Sequence, residues 1–270
     1  MTEPGTELPG VDPTRPSPAR LYDYYLGGTH NLPVDRALAD ALRASLPELQ
    51  DGVWANRAFH QRAAVWMASQ AGIRQFIDIG SGLPTQSNTH EAVPGATVVY
   101  VDNDPMVAAY ATQLLTPDGT TAVVTRDMID SAGVLGDPGL RALIDLAEPV
   151  GLLVTAVMHF IPDSADPYGA VHRYTGALAP GSCLVLSHMT MDNVKPDKLQ
   201  TGMSAYDHVA SGLFPRTRAE VERFFSGLEF VPAEPDGEPG LTHPHLWRAE
   251  GPVTDTEGAR GLYAGVARRP

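Results

Sequence analysis

Gln75-Phe76-Ile77-Asp78-Ile79-Gly80-Ser81-Gly82-Leu83-Pro84-Thr85 is an apolar run that passes through an acid into a Gly-x-Gly turn. About twenty residues on, a second apolar run, Thr97-Val98-Val99-Tyr100-Val101, closes on Asp102. In an open parallel sheet, glycines after the first strand let the backbone approach a ligand closely. An acid at the end of the next strand accepts hydrogen bonds from ribose hydroxyls. The pattern points to a ligand that carries a nucleoside.

Outward from this stretch the chain keeps the same rhythm. Apolar runs recur at 121–125, 150–157 and 182–188, with helical segments at 105–115, 140–146 and 167–177 between them. Runs apolar on both faces and separated by helices indicate a parallel sheet covered on both sides. Residues 1–18 carry many Pro and Gly with few apolar anchors, and a disordered tail is expected. Residues 19–72 read as an N-terminal helical cap. Its first helix, 20–26, stops at Gly27-Gly28; a second over 34–44 sets Leu38 and Leu42 one turn apart; a third over 56–70 carries Phe59, Ala63, Trp66 and Met67 on one stripe. Residues 73–270 read as the ligand-binding domain. An insertion at about 192–215, with a short helix at 205–211, interrupts it. Thr217-Arg218-Ala219-Glu220 is a capping box for a helix through Phe225, and strands at 228–231 and 262–267 are expected to pair antiparallel.

With 270 residues, 43% of them hydrophobic, the chain builds one full-sized α/β core with appendages. A net charge of −13 and the lack of any basic run argue against a nucleic-acid partner. The single cysteine, Cys183, excludes an intrachain disulfide and a thiolate zinc site, and its apolar neighbours mark it as a buried small hydrophobe. No triad of metal ligands is visible. The N-terminus shows neither a basic leader nor an apolar core segment, and no run reaches membrane-spanning length, so a cytoplasmic protein without a membrane partner is expected.

The turn itself narrows the ligand. A dinucleotide fingerprint wants a third small residue where Thr85 stands, and Pro84 precedes it. Asp78, two residues before the first glycine, would repel a pyrophosphate. It suits a ligand with a positive centre, as S-adenosylmethionine has in its ammonium and sulfonium. No Gly-Lys-Ser/Thr follows, which excludes a P-loop. Asp127 is placed to accept a hydrogen bond from an adenine amino group, with Met128 against the ring, and Ala156-Val157-Met158-His159-Phe160 ends the fourth strand.

These residues carry a resemblance. The chain looks like a Rossmann-like class I S-adenosylmethionine-dependent methyltransferase, similar to the actinobacterial S-adenosyl methyltransferase family once filed as a domain of unknown function. The marks are Ser17-Pro18-Ala19-Arg20-Leu21-Tyr22-Asp23-Tyr24-Tyr25-Leu26-Gly27-Gly28 with Asn31, then Asn56-Arg57-Ala58-Phe59, the Asp78–Thr85 turn and Tyr100-Val101-Asp102-Asn103-Asp104-Pro105. Further matches are Leu178-Ala179-Pro180-Gly181-Ser182, Leu186-Ser187-His188 and Tyr263-Ala264-Gly265-Val266-Ala267. The resemblance implies an α/β fold with a seven-stranded, mostly parallel sheet of order 3-2-1-4-5-7-6. It also implies a cofactor site in which the backbone at Gly80 and Gly82 approaches the methionine part, Asp102 holds the ribose, and Asp127 and Met128 hold adenine; Asp78, Ser81, Asn103 and Ala156 are further candidate cofactor-binding residues.

Methyl transfer from a sulfonium is an in-line displacement with an activated leaving group, so alignment and desolvation dominate and no nucleophilic side chain or metal is required. His159 and His188, at strand ends, are the candidate bases for an acceptor that must lose a proton. Tyr22, Tyr24 and Tyr25 offer aromatic faces to a sulfonium or acceptor, and Arg20, Gly28, Asn31 and Arg57 complete a lid that meets the cofactor carboxylate or an acidic substrate. No Asp/Asn-Pro-Pro-aromatic segment follows the fourth strand, which disfavours a nucleic-acid amine. The expected activity is methyl transfer to a small-molecule acceptor. A cofactor-binding regulator without turnover is the alternative, with an NAD-dependent dehydrogenase third; the oligomeric state is not legible.

Overall fold

A computed structural model describes residues 10–84, 87–113, 115–116, 118–192 and 212–270. Thr85 and the helix expected at 205–211 lie outside the described residues, as do most of the insertion and residues 1–9 of the tail.

Seven strands form one sheet in the order β3-β2-β1-β4-β5-β7-β6. They are β1 (Gln75–Ile79), β2 (Thr97–Asp102), β3 (Thr121–Thr125), β4 (Gly151–Thr155), β5 (Cys183–Met189), β6 (Glu229–Phe230) and β7 (Leu262–Arg268). The first five are parallel, and β7 runs antiparallel to both β5 and β6. The period-2 alternation of each strand splits its side chains between two cores. Ile77, Ile79, Val99, Val101, Leu152 and Val154 fill one; Phe76, Val98, Tyr100, Leu153 and Val185 fill the other. The first core is closed by Val171 and Tyr174 of helix Pro167–Ala177 and by Phe224; the second by Phe59, Ala63, Ala64 and Met67 of a long helix, together with Trp247.

That long helix, α3 (Leu49–Ser69), follows α1 (Pro18–Tyr25) and α2 (Pro33–Ser45). It starts one to two turns before the expected Asn56, because Leu49 and Val53 pack with Leu21, Tyr25 and Leu42 and extend the helix into the cap. The tail is shorter than expected. Ser17 is buried: its N–H donates to Asp35 Oδ1 (3.0 Å) and its hydroxyl to Asp104 Oδ2 (2.6 Å), so the chain is fixed before Pro18 opens α1. β4 also ends early. Ala156 takes φ +55°, and the chain turns into a 3-10 segment at Met158–Phe160 instead of extending the strand to 157. Among the described residues, no helix is long and apolar enough to cross a membrane.

Candidate functional site

A cavity of about 380 Å³ opens at the carboxyl ends of β1 to β4, beneath α1 and the first turns of α3. This is the switch point where β1 has β2 on one side and β4 on the other, the usual place for a ligand in such a sheet. Gly80 and Gly82 have φ of +64° and +68°, which L side chains rarely adopt. A Cβ on Gly80 would collide with Val157 Cγ2, whereas one on Gly82 would meet nothing within 4 Å: it would project into open space on the cavity wall.

The turn is tied to the next strand. Asp102 Oδ2 accepts the Gly82 N–H at 2.8 Å and Oδ1 accepts the Asp104 N–H at 2.9 Å. Burial pushes the Asp102 carboxyl up to about 6, against the pull of these backbone donors. Asn103, Asp127, Met128 and Ala156 share the same wall. Asp127 Oδ1 accepts the Ile129 N–H (2.9 Å), and the Tyr174 hydroxyl holds the Met128 carbonyl (2.8 Å), which fixes this loop. Ser81 Oγ is buried without a hydrogen-bond partner among the described residues. All the residues expected to bind the cofactor thus surround one space.

Asp78 lies on the α3 face of β1, where the alternation with Phe76 puts it. There it meets His60, a residue that no sequence motif marks. His60 falls on the stripe of Phe59, Ala63 and Met67, and its ring bridges Thr155 Oγ1 (Nδ1, 2.8 Å) and Thr89 Oγ1 (Nε2, 2.8 Å). Thr89 in turn donates to Asp78 Oδ2 (2.6 Å). With Asp78 ionised every direction is fixed: Thr155 donates to His60, His60 to Thr89, and Thr89 to Asp78. Burial depresses His60 to about 3, with Arg57 adding to it, so its ring is neutral. Burial raises Asp78 to about 6, opposed by Thr89 and Arg57.

A second chain joins sheet and lid. The Ala156 N–H donates to Ser187 Oγ (2.9 Å), Ser187 to Asn56 Oδ1 (2.5 Å), and Asn56 Nδ2 to the Tyr22 hydroxyl (2.9 Å). Tyr22, Tyr25 and Arg57 line the cavity, with the Arg57 guanidinium 5.6 Å from the Tyr22 ring centroid.

The other lid residues serve the lid's own architecture and are not on the cavity wall. Arg20 is buried against Asp35 (Nε to Oδ2, 2.6 Å), so its charge is spent inside the cap. Asn31 Nδ2 donates to Asp23 Oδ2 and to the Gly28 carbonyl, and a Cβ on Gly28 would collide with the Asp23 carboxylate. Tyr24 donates to Asp40 on the outside. His188, expected as a base, is fully buried off the cavity with both nitrogens engaged, Nε2 by Arg216 and Nδ1 by the Met189 carbonyl. Only His159 of the two histidines reaches the cavity. Among the described residues no group of three acidic, His or Cys side chains is set to hold a metal. Cys183 is buried, its thiol pushed up to about 11 by desolvation.

The sheet order, the antiparallel β7 and a cavity at the β1/β4 switch define the Rossmann-like fold of the class I methyltransferases. The chain belongs to the S-adenosyl methyltransferase family, whose sequence profile matches residues 4–270, and its cofactor is S-adenosylmethionine. A duf574 family protein from Streptomyces avermitilis superposes with a TM-score of 0.88 at 39% identity, covering 95% of this chain and 98% of that one. A protein from Thermobifida fusca proposed to be a methyltransferase gives 0.88 at 37% identity, with 97% of each chain covered. A curated Mycobacterium marinum protein, whose name proposes an S-adenosyl-L-methionine-dependent methyltransferase, is 28% identical over 176 residues. That match takes in 63% of this chain and spans about half (52%) of the curated relative's length.

Proposed function

We propose that the protein transfers a methyl group in line from S-adenosylmethionine to a small-molecule acceptor, and that it does so in the cytoplasm. One observation carries this reading. The wall formed by Gly80, Gly82, Asp102 and Asp127 lies in the same cavity as the apolar side chains under the lid, so an acceptor seated against those side chains would face the donor.

The residues present fit the cofactor. The open space beyond Gly82, the partnerless Ser81 hydroxyl and the Asp78 carboxylate suit a cationic, polar methionine moiety; Asp102 and Asn103 suit a ribose; Asp127 and Met128 suit adenine. When bound, the cofactor supplies a methyl group on a sulfonium whose departure needs no acid. The protein's part is to bind, orient and exclude water: the Gly82–Asp102 bond fixes the ribose acceptor, and Tyr22 and Tyr25 close the roof. A net charge of −13 supports a small acceptor over a nucleic acid.

Calorimetry with S-adenosylmethionine, S-adenosylhomocysteine and NAD tests this assignment. Saturable binding of the first two and none of NAD is expected; tighter binding of NAD would overturn it.

A further inference from the structure

His159 lies in the 3-10 turn after β4, 4% exposed, on the cavity wall. Its tautomer is written in its neighbours. Arg216 Nη1 can only donate, and it sits 2.7 Å from His188 Nε2, so that nitrogen carries a lone pair. The His188 proton is then on Nδ1, where it meets the Met189 carbonyl at 2.7 Å. The Met189 N–H, again a donor only, points at His159 Nδ1 at 3.3 Å. His159 Nδ1 is therefore the acceptor, and the ring proton is on Nε2.

A second proton is opposed on both rings. Burial holds His188 at about 3, with Arg216 adding to it against the pull of the Met189 carbonyl, and burial holds His159 well below the usual histidine value, with His188 and Arg216 adding to it. Arg216 is itself locked, donating to the Met158 and Ile161 carbonyls and to Asp163. The two imidazoles meet edge to face at 5.6 Å, with His188 stacked on Phe224. This arrangement engages Nδ1 and leaves the Nε2 edge of a cavity-lining ring without a hydrogen-bond partner among the described residues.

We propose that His159 is a fixed hydrogen-bond donor to the acceptor and not a base, so that the acceptor carries an accepting oxygen (a carbonyl, carboxylate or phenolate) on an apolar frame. This deepens the methyltransferase reading and rests on it. A ring whose Nδ1 lone pair is taken and whose Nε2 already bears a proton has no site for the acceptor's proton. The frame is set by the chamber's lining: Leu46, Leu49, Val53, Phe160, Leu213 and Leu262. Glu48 and Glu257 also line the cavity; an ammonium seated on them would leave the His159 N–H unanswered.

The test is long-range proton–nitrogen NMR on the full chain with ¹⁵N-labelled imidazoles, saturated with S-adenosylhomocysteine as verified by calorimetry. The His159 signals are assigned by their loss in His159→Gln, with His159→Phe as the second variant. The expected result is a neutral Nε2–H tautomer between about pH 6 and 8. Benzoate should shift the Nε2 resonance and benzylamine at equal concentration should not. An Nδ1–H or doubly protonated ring, no response to benzoate, or an equal response to benzylamine would overturn the proposal. Failure of S-adenosylhomocysteine to bind would count against the methyltransferase reading instead, since the tautomer is read with or without it.

Discussion

The backbone N of Gly82 lies 2.8 Å from Asp102 Oδ2, joining the turn after β1 to the end of β2 by a hydrogen bond between two residues of the cavity wall. Asp102 holds the turn, and in the proposed reading it also receives the ribose. Asp102→Ala is expected to weaken S-adenosylmethionine binding more than tenfold, roughly 1.4 kcal/mol or more. Calorimetry that found unchanged affinity would place the ribose elsewhere.

The two glycines of the turn should respond differently to alanine. In Gly80→Ala both the positive φ and the collision with Val157 act, so the melting temperature should fall and binding with it. Gly82→Ala meets no atom of the described residues within 4 Å and carries only the backbone cost, about 1 kcal/mol. The methyl group is added at a residue that lines the cavity, so affinity should fall more than stability does. Adding Val157→Ala should recover part of the Gly80→Ala loss in thermal denaturation and none of the Gly82→Ala loss.

Cofactor affinity should rise with pH through about 6. Asp78 and Asp102 both titrate there in the free protein, and donors on the ligand favour their ionised forms. Binding is expected to weaken from pH 7 to pH 5 and to level off above 7, with Asp102→Asn showing a shallower dependence. For folding the sign is reversed. These raised carboxyls contribute fully below about 4, the unfolded value, and lose that contribution as pH rises through 6. Asp78→Asn should accordingly stabilise the free protein more at pH 7 than at pH 5 in thermal melts.

Asn56 links Ser187 to Tyr22, so its removal leaves the buried Ser187 hydroxyl without its acceptor, while the half-buried Tyr22 hydroxyl keeps the Val53 carbonyl. Asn56→Ala should cost about 1–3 kcal/mol, against about 0.5–1.5 for Tyr22→Phe, which ends the chain one bond earlier. Denaturant unfolding of the two variants reads the difference, and equal costs would dissolve the chain as a unit.

The parallel sheet, and the residues that the structure gathers on one cavity wall, were legible because both rest on local signals: apolar strands and an acid or glycine fixed at a strand end. Strand borders shifted by at most one residue, except at the end of β4, where the left-handed Ala156 cuts the apolar run two residues short. The lid was read only in part. Arg20 and Asn31 looked like ligand-binding residues, yet their partners Asp35 and Asp23 are polar residues of the same cap, and pairing within it has no periodic signature. His60 left a signal that went unused: a histidine three residues before Ala63 and seven before Met67, on a buried stripe facing the strand that bears Asp78. Nothing in the sequence around His188 announces Arg216, which reaches it across 28 positions.

The central claim is turnover in the shared cavity, and transfer of a labelled methyl group tests it most directly. The protein would be incubated with methyl-labelled S-adenosylmethionine and the small-molecule extract of its source organism. Label appearing in an extract component, abolished in Asp102→Ala, is the predicted result. Persistent absence of transfer from a protein shown by calorimetry to bind the cofactor tightly would contradict it.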